Sequence, residues 1–201
     1  MKDSLLTILR DKKTAMPEFR RAAHQLAELM AAELVLSLPS EPVSLETPIA
    51  PAKGFKTPQK AVLIPIYRSG IVLLPAFMAY FPDAPVGFFG IRRDDNTANP
   101  IPYYENLPKI TGDNTVIILD PMIATAGSAL YVLERLSALE IHPSRIYLVA
   151  VLGSIEGIKK IKAKYPYVNI RVVAEDPSLS DKKFIVPGLG DFGDRYFGTS
   201  A

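Results

Sequence analysis

At 201 residues, 48% hydrophobic and 22% charged, the chain has the make-up of a globular protein long enough to bury a sizeable core. A formal charge of +2 leaves no electrostatic footprint for nucleic acid, and the densest basic group, Lys159, Lys160, Lys162 and Lys164, has the spacing of a solvated helix face. Zero cysteines exclude disulfides and thiolate metal sites, while His24 and His142 lie too far apart in sequence to suggest a histidine-based metal centre.

The start, MKDSLLTILRDKK, meets charge too early for a secretory signal, and no apolar run approaches the roughly 20 residues of a membrane span. A cytoplasmic protein with no membrane partner is expected. Apolar residues at Phe19, Ala22, Ala23, Leu26, Met30 and Leu34 predict a long amphipathic helix over 17–36, with Pro17 in its tolerant first turn. The proline-rich stretch 37–60 breaks both periodicities and reads as a loop or a pair of short edge strands. AVLIPI (61–66) reads as a buried strand, with a helix behind it from 70 to 80. PVGFFGI and IPYYENLP flank the turn-rich RRDDNTANP, which predicts a two-stranded arm over about 86–107 with a mobile polar tip.

The second half alternates regularly. Short β-rich runs at 116–119, 146–152 and 170–174 are separated by helical patterns near 128–139 and 155–164. That order predicts an α/β fold, a parallel sheet flanked by helices on both sides, in a single domain spanning 1–201. In such sheets ligands bind beyond the carboxyl ends of the strands.

The stretch VIILDPMIATAGSAL sits at one of those ends: a strand, a loop over 120–127, and a helix from Ser128. It is neither a Walker motif, having no lysine, nor a GxGxxG loop. Small residues at a helix N-terminus let a phosphate approach free backbone N–H groups, Thr125 and Ser128 add hydroxyls, and Asp120 is placed to accept from a sugar. Taken alone, the stretch reads equally as an N-cap at Ser128 and a turn at Asp120. Near the end, PGLGDFGDRYFGT holds a literal GxGxxG at Gly188, Gly190 and Gly193, but no helix-length segment remains before Ala201 and the dinucleotide reading fails. The glycines still suggest a tight backbone that presents its polar groups to a flat ligand, with a terminal turn as the plainer reading. Arg68, directly after a buried strand, and Arg92 and Arg93 at the arm's tip are candidate anion binders, or solvated surface arginines.

Six blocks in order, LRDKKTAMPEFR, IPIYRSG, RRDDNTANPIPYYENLP, ILDPMIATAGSA, IEGI and FIVPGLGDFGDRYFGT, resemble the uracil phosphoribosyltransferases, a branch of the type I phosphoribosyltransferase family. The resemblance implies that uracil and 5-phosphoribosyl 1-pyrophosphate (PRPP) give UMP and pyrophosphate, with Mg²⁺ carried by PRPP and no metal held directly by the protein. Arg68 and Arg93 match the arginines on the pyrophosphate side, Asp120 the aspartate on the ribose hydroxyls, and Ala124, Thr125, Ala126, Gly127 and Ser128 the 5'-phosphate loop that Pro121, Met122 and Ile123 lead into. Ile185, Gly190 and Phe192 match the positions that read uracil, within a base-binding segment over about 183–201. Asp191 lies between base and PRPP; it and Arg93 are the catalytic candidates. The family also implies a homodimer that uses the hairpin arm.

The chain departs from the family pattern in places. Its loop reads ATAGS where the family has A-T-G-G-S, so a Cβ at Ala126 costs about 1 to 2 kcal/mol if that position needs positive φ, and weaker PRPP binding is expected. Tyr67, Ser69, Arg92 and the pair Ser154-Ile155 also differ from the usual residues. These substitutions keep two alternatives open: a transferase for another base, and a non-catalytic or regulatory PRPP-binding homologue.

Overall fold

The computed structural model describes residues 1–57, 60–94 and 99–199. It opens with helix α1 (Lys2–Arg10), which the short stretch of periodicity does not predict. Leu5, Leu6 and Leu9 form its buried edge, and Asp3 in the first turn and Arg10 in the last follow the charge order that a helix dipole favours. Helix α2 (Met16–Ser37) buries Phe19, Ala22, Ala23, Leu26, Met30 and Leu34 as expected, with Pro17 in the first turn. The proline-rich stretch resolves into strands: β1 (Glu41–Glu46) and β2 (Pro51–Lys56) form a largely exposed antiparallel pair apart from the main sheet.

Strand β3 (Ala61–Tyr67) is buried along nearly its whole length. The helix expected from 70 begins instead as a 3-10 turn, Ser69–Val72, before α3 (Leu74–Tyr80). Gly70 explains the tight start, because a Cβ there would lie 2.2 Å from the Leu119 carbonyl oxygen. Strands β4 (Phe88–Arg93) and β5 (Pro100–Asn106) make the expected antiparallel arm. Because β4 also pairs with β3, the arm continues the central sheet. Residues 95–98 of the RRDDNTANP tip, for which mobility is expected, lie outside the described residues.

Strand β6 (Thr115–Leu119) leads through the two-residue strand β7 (Met122–Ile123) into α4 (Gly127–Ser137), so part of the expected loop is sheet. Strand β8 (Ile146–Ser154), helix α5 (Ile155–Lys164) and strand β9 (Asn169–Asp176) follow. The chain then forms the small hairpin β10 (Ser178–Leu179) and β11 (Ile185–Val186) and the six-residue helix α6 (Phe192–Phe197). A helix therefore does form where too little chain seemed to remain. Asp191 starts it by accepting the Asp194 amide, and Gly198, at φ 75°, ends it.

The main sheet runs β5-β4-β3-β6-β8, with β9 on the far side of β8 and β7 continuing beyond β6 along the same edge of β8. All pairings are parallel except β4 with β5. Alternation along the strands divides the core. Leu63, Ile117, Leu119, Val149 and Val151 pack with α1, α2 and α3, while Val62, Ile64, Val116, Ile118, Leu148 and Ala150 pack with α4 and Ile161 of α5. The parallel register sets Pro65 beside Leu119, so β3 runs on to Tyr67 past the end of β6, and Arg68 and Asp120 leave the same carboxyl edge of the sheet. No helix among the described residues is long and apolar enough to cross a membrane.

Candidate active site

The loop after β6 is built to leave donors free. Asp120 donates its amide to the Val149 carbonyl at 3.1 Å, which fixes its place at the strand end. Burial pushes its carboxyl up to about 7, against a long hydrogen bond from the Met122 amide at 3.4 Å. Pro121 sits behind the loop, its carbonyl accepting the amides of Val151 and Leu152. Met122 and Ile123 are held by the register of β7 on Leu152 and Gly153.

Ala126 then adopts φ 65°, the left-handed conformation that penalises a side chain, and caps α4. The first bond of that helix runs from the Leu130 amide to the Ala126 carbonyl at 2.9 Å. The amides of Gly127, Ser128 and Ala129 consequently have no acceptor within the helix, and the positive end of its dipole opens toward the cleft. Ser128 lies in the first turn, and the N-cap, one of the two readings that the stretch left open for it, falls at Ala126 instead.

Ser154 supports this loop from below. Its hydroxyl is fully buried, donates to the Ala124 carbonyl at 2.6 Å and accepts the Gly157 amide at 2.8 Å, which caps α5. Gly157 is required for the approach, since a Cβ would lie 2.3 Å from the Ala124 oxygen. Sequence reasoning singled out position 154 only as a departure from the usual residue; its cap spacing ahead of α5 was the available signal.

Arg68 donates to Asp194 Oδ1 at 2.8 Å and to Thr199 Oγ1 at 3.3 Å, tying the end of β3 to the C-terminal block. The Thr199 hydroxyl and Arg68 hold the Asp194 carboxyl below its ordinary range, against burial. This ion pair is half exposed, a class of interaction worth about 0 to 1 kcal/mol, so an incoming anion can compete for the guanidinium. Arg93 lies in β4 by its backbone, and its side chain is outside the described residues.

On the opposite wall, Ile185 and Phe192 are buried, Gly190 has φ 80°, and Asp191 is exposed at the start of α6. Phe192 meets Phe19 edge-on with ring centroids 5.3 Å apart. A cleft of about 520 Å³ brings these parts together: Arg68, Asp120, Met122 to Ala129, Ile185, and Gly190 to Gly193 all line it. Tyr67 and Arg92 line it as well, Tyr67 packed between Phe88 and Tyr104. The separate stretches picked out in the sequence thus share one cavity with a free helix N-terminus on one side and a glycine-bent backbone on the other.

The family model described as uracil phosphoribosyltransferase matches residues 2–199. The chain belongs to this family. It is 41% identical over 194 residues to the uracil phosphoribosyltransferase of Mycoplasma genitalium, covering 96% of this chain and 93% of that one. A solved structure from Aquifex aeolicus superposes with a TM-score of 0.91 at 30% identity, covering 100% of this chain and 95% of that one. The adenine phosphoribosyltransferase of Leishmania tarentolae, at 13% identity and a TM-score of 0.53 over 79% of this chain and 74% of that one, shares the fold. The α/β architecture is therefore that of the type I phosphoribosyltransferases, and uracil phosphoribosyltransferase blocks run the length of the chain.

Proposed function

We propose that the chain transfers the 5-phosphoribosyl group of PRPP to uracil, releasing pyrophosphate and forming UMP for pyrimidine salvage. The observation that carries this reading is that the free N-terminus of α4 and the backbone of Ile185, Gly190 and Phe192 line one cleft. The 5'-phosphate lies on the amides of 127–129, where donors and dipole favour an anion and the hydroxyls of Thr125 and Ser128 add bonds. Asp120, on the floor between the two walls, accepts from the ribose hydroxyls. Arg68 exchanges Asp194 for the leaving pyrophosphate, and Arg93 serves the same group.

Among the described residues no group of three or more histidines, cysteines or carboxylates could hold a metal ion. The oxygen donors of the cleft, Asp120 and Asp191, fit Mg²⁺ that arrives on pyrophosphate and keeps much of its water. When bound, Mg²⁺ supplies neutralisation of leaving-group charge. Uracil loses its N1 proton as the new bond forms, and Asp191, anchored by the Asp194 amide at 2.9 Å, is the carboxylate assigned to accept it. Backbone positioning carries most of the base side, since Ile185, Gly190 and Phe192 offer no titratable group. The exposed rings of Tyr103 and Tyr104 on β5 suit the proposed homodimer contact of the arm, which sedimentation checks.

The deciding experiment measures UMP formation from uracil, PRPP and Mg²⁺ beside a panel of other bases. Product with uracil alone supports the reading. Product only with another base, or PRPP binding without product, overturns it.

A further inference from the structure

The block LRDKKT at the chain's start has no part in the cleft, yet it is bound to the base segment. Asp176, the last residue of β9, is only 4% exposed. Its Oδ2 accepts the Gly188 amide at 2.9 Å and Arg10 Nη1 at 2.8 Å, while its Oδ1 accepts Arg10 Nη2 at 2.6 Å. Arg10 Nη1 also donates to the Gly188 carbonyl at 2.8 Å. Both polar groups of Gly188 are therefore fixed, one by the carboxylate and one by the guanidinium that the carboxylate orients. Gly188 tolerates this at φ 60°, where a Cβ would lie 2.1 Å from the Ile185 oxygen.

A second arginine makes the reciprocal connection. Arg195 of α6 donates through Nη1 to the carbonyls of Leu189, at 2.8 Å, and Leu9, and through Nη2 to the Asp11 carbonyl at 2.7 Å. Its guanidinium lies 4.4 Å from the centroid of the Phe19 ring, the ring that meets Phe192. The carbonyls of residues 188 and 189 are both occupied, and they lie between the three positions assigned to the base. Their fixation constrains the backbone that runs from Ile185 to Gly190 and Phe192, all three of which line the cleft.

We infer that Arg10, Asp176 and Arg195 are positioning residues for the base: helix α1 holds the backbone that reads uracil, and takes no part in binding PRPP. The inference rests on the base site proposed above. A planar fork is needed at position 10, because one nitrogen must reach both Asp176 and the Gly188 carbonyl while the other stays on Asp176.

The test compares Arg10→Gln, Arg10→Lys and Arg195→Lys with Leu26→Ala, which removes a buried side chain of α2 outside the arginine contacts and serves as the stability control. KM is measured separately for uracil and PRPP, melting temperature is recorded, and amide exchange is followed over 184–193. Arg10→Gln is expected to raise the uracil KM by ~10- to 100-fold, the scale set by misplacing a binding group by about 1 Å, with the PRPP KM held within about twofold. Arg10→Lys should recover part of the loss, Arg195→Lys should show the same uracil-specific direction, and exchange at 188–192 should accelerate in each. Leu26→Ala should lower the melting temperature and leave the uracil KM unchanged. Equal rises in both KM values, or a uracil KM that simply follows melting temperature across all four variants, would overturn the inference. If the parent forms no UMP, the proposed function fails instead; unchanged exchange at 188–192 in Arg10→Gln then overturns the clamp, and accelerated exchange with weakened UMP binding sustains it. Should Arg10→Gln not fold, Arg195→Lys, which keeps the charge, decides by the same readings.

Discussion

The two walls of the cleft are held in opposite ways. The phosphate loop is a largely local object: β6, β7 and α4 are consecutive, and the more distant supports described for it, Ser154 among them, come from the neighbouring strand β8. The base segment has little regular structure of its own, and side chains from the far end of the sequence fix it, Arg10 lying 178 residues from Gly188. A loop between a strand and a helix inherits its geometry from both. A bent terminal segment has to be given one, and here charge-assisted bonds to backbone carbonyls supply it.

The largest effect expected on the phosphate and ribose side is that of Asp120→Asn. Losing the carboxylate proposed to accept from the ribose should lower kcat/KM for PRPP by ~100-fold or more, with the uracil KM little changed. The same variant carries a pH signature. The folded carboxyl, at about 7, stands above its ordinary 3.8 because burial disfavours the charged form. Stability from the neutral acid is thus full below about pH 4 and is lost as pH rises through 7, up to roughly 4 kcal/mol for a shift of this size. Asp120→Asn should melt with the parent in acid and above it at about pH 8. Activity runs the other way, since the ionised form is the better acceptor: the parent's kcat/KM for PRPP should climb through neutrality, and the variant should lack that limb. Parallel melting curves at both pH values would refute the raised carboxyl.

This asymmetry between the walls also explains what was legible in the sequence. Periodicity located β3, β6, β8, α2 and α5, and the strand-loop-helix order was enough to place Asp120 and residues 124–128 at the carboxyl edge of the sheet. The resemblance to a family supplied roles that spacing alone left open between a phosphate site and a simple cap. Helix α1 escaped because nine residues with three buried leucines give too short a pattern. Helix α6 escaped because six residues give no periodicity, and its place depends on Phe19, Leu9 and Asp11. No local pattern encodes partners more than a hundred residues away. Ser154 was visible as an unusual residue, but its hydrogen bond to Ala124 exists only once β7 has paired with β8.

Ser154→Ala tests whether the phosphate wall is as self-contained as its sequence suggests. The change removes the donor to the Ala124 carbonyl and the acceptor for the Gly157 amide in a fully buried place, a loss of about 1 to 3 kcal/mol. Melting temperature should fall, and the PRPP KM should rise several-fold while the uracil KM stays put. A rise in the uracil KM instead would mean that the two walls are mechanically joined through β8.

The smallest effect belongs to Ala126→Gly. Positive φ at this position, which the sequence posed as a condition, is met at 65°. Relief of left-handed strain is worth about 1 to 2 kcal/mol per residue. Two terms offset it. The glycine gains freedom in the unfolded chain, about 0.4 to 1 kcal/mol, and the lost methyl, in a residue only 4% exposed and clustered with Ile123 and Ala129, forfeits about 0.8 kcal/mol of burial. Net stability should therefore move by less than about 1 kcal/mol in either direction. Because the methyl belongs to the buried cluster, crowding of the phosphate contributes less than backbone strain, and the PRPP KM should fall by no more than about threefold. A fall beyond tenfold would show that the side chain reaches the phosphate after all. An unchanged KM with a raised melting temperature would show that the strain is carried by the fold and never reaches the ligand.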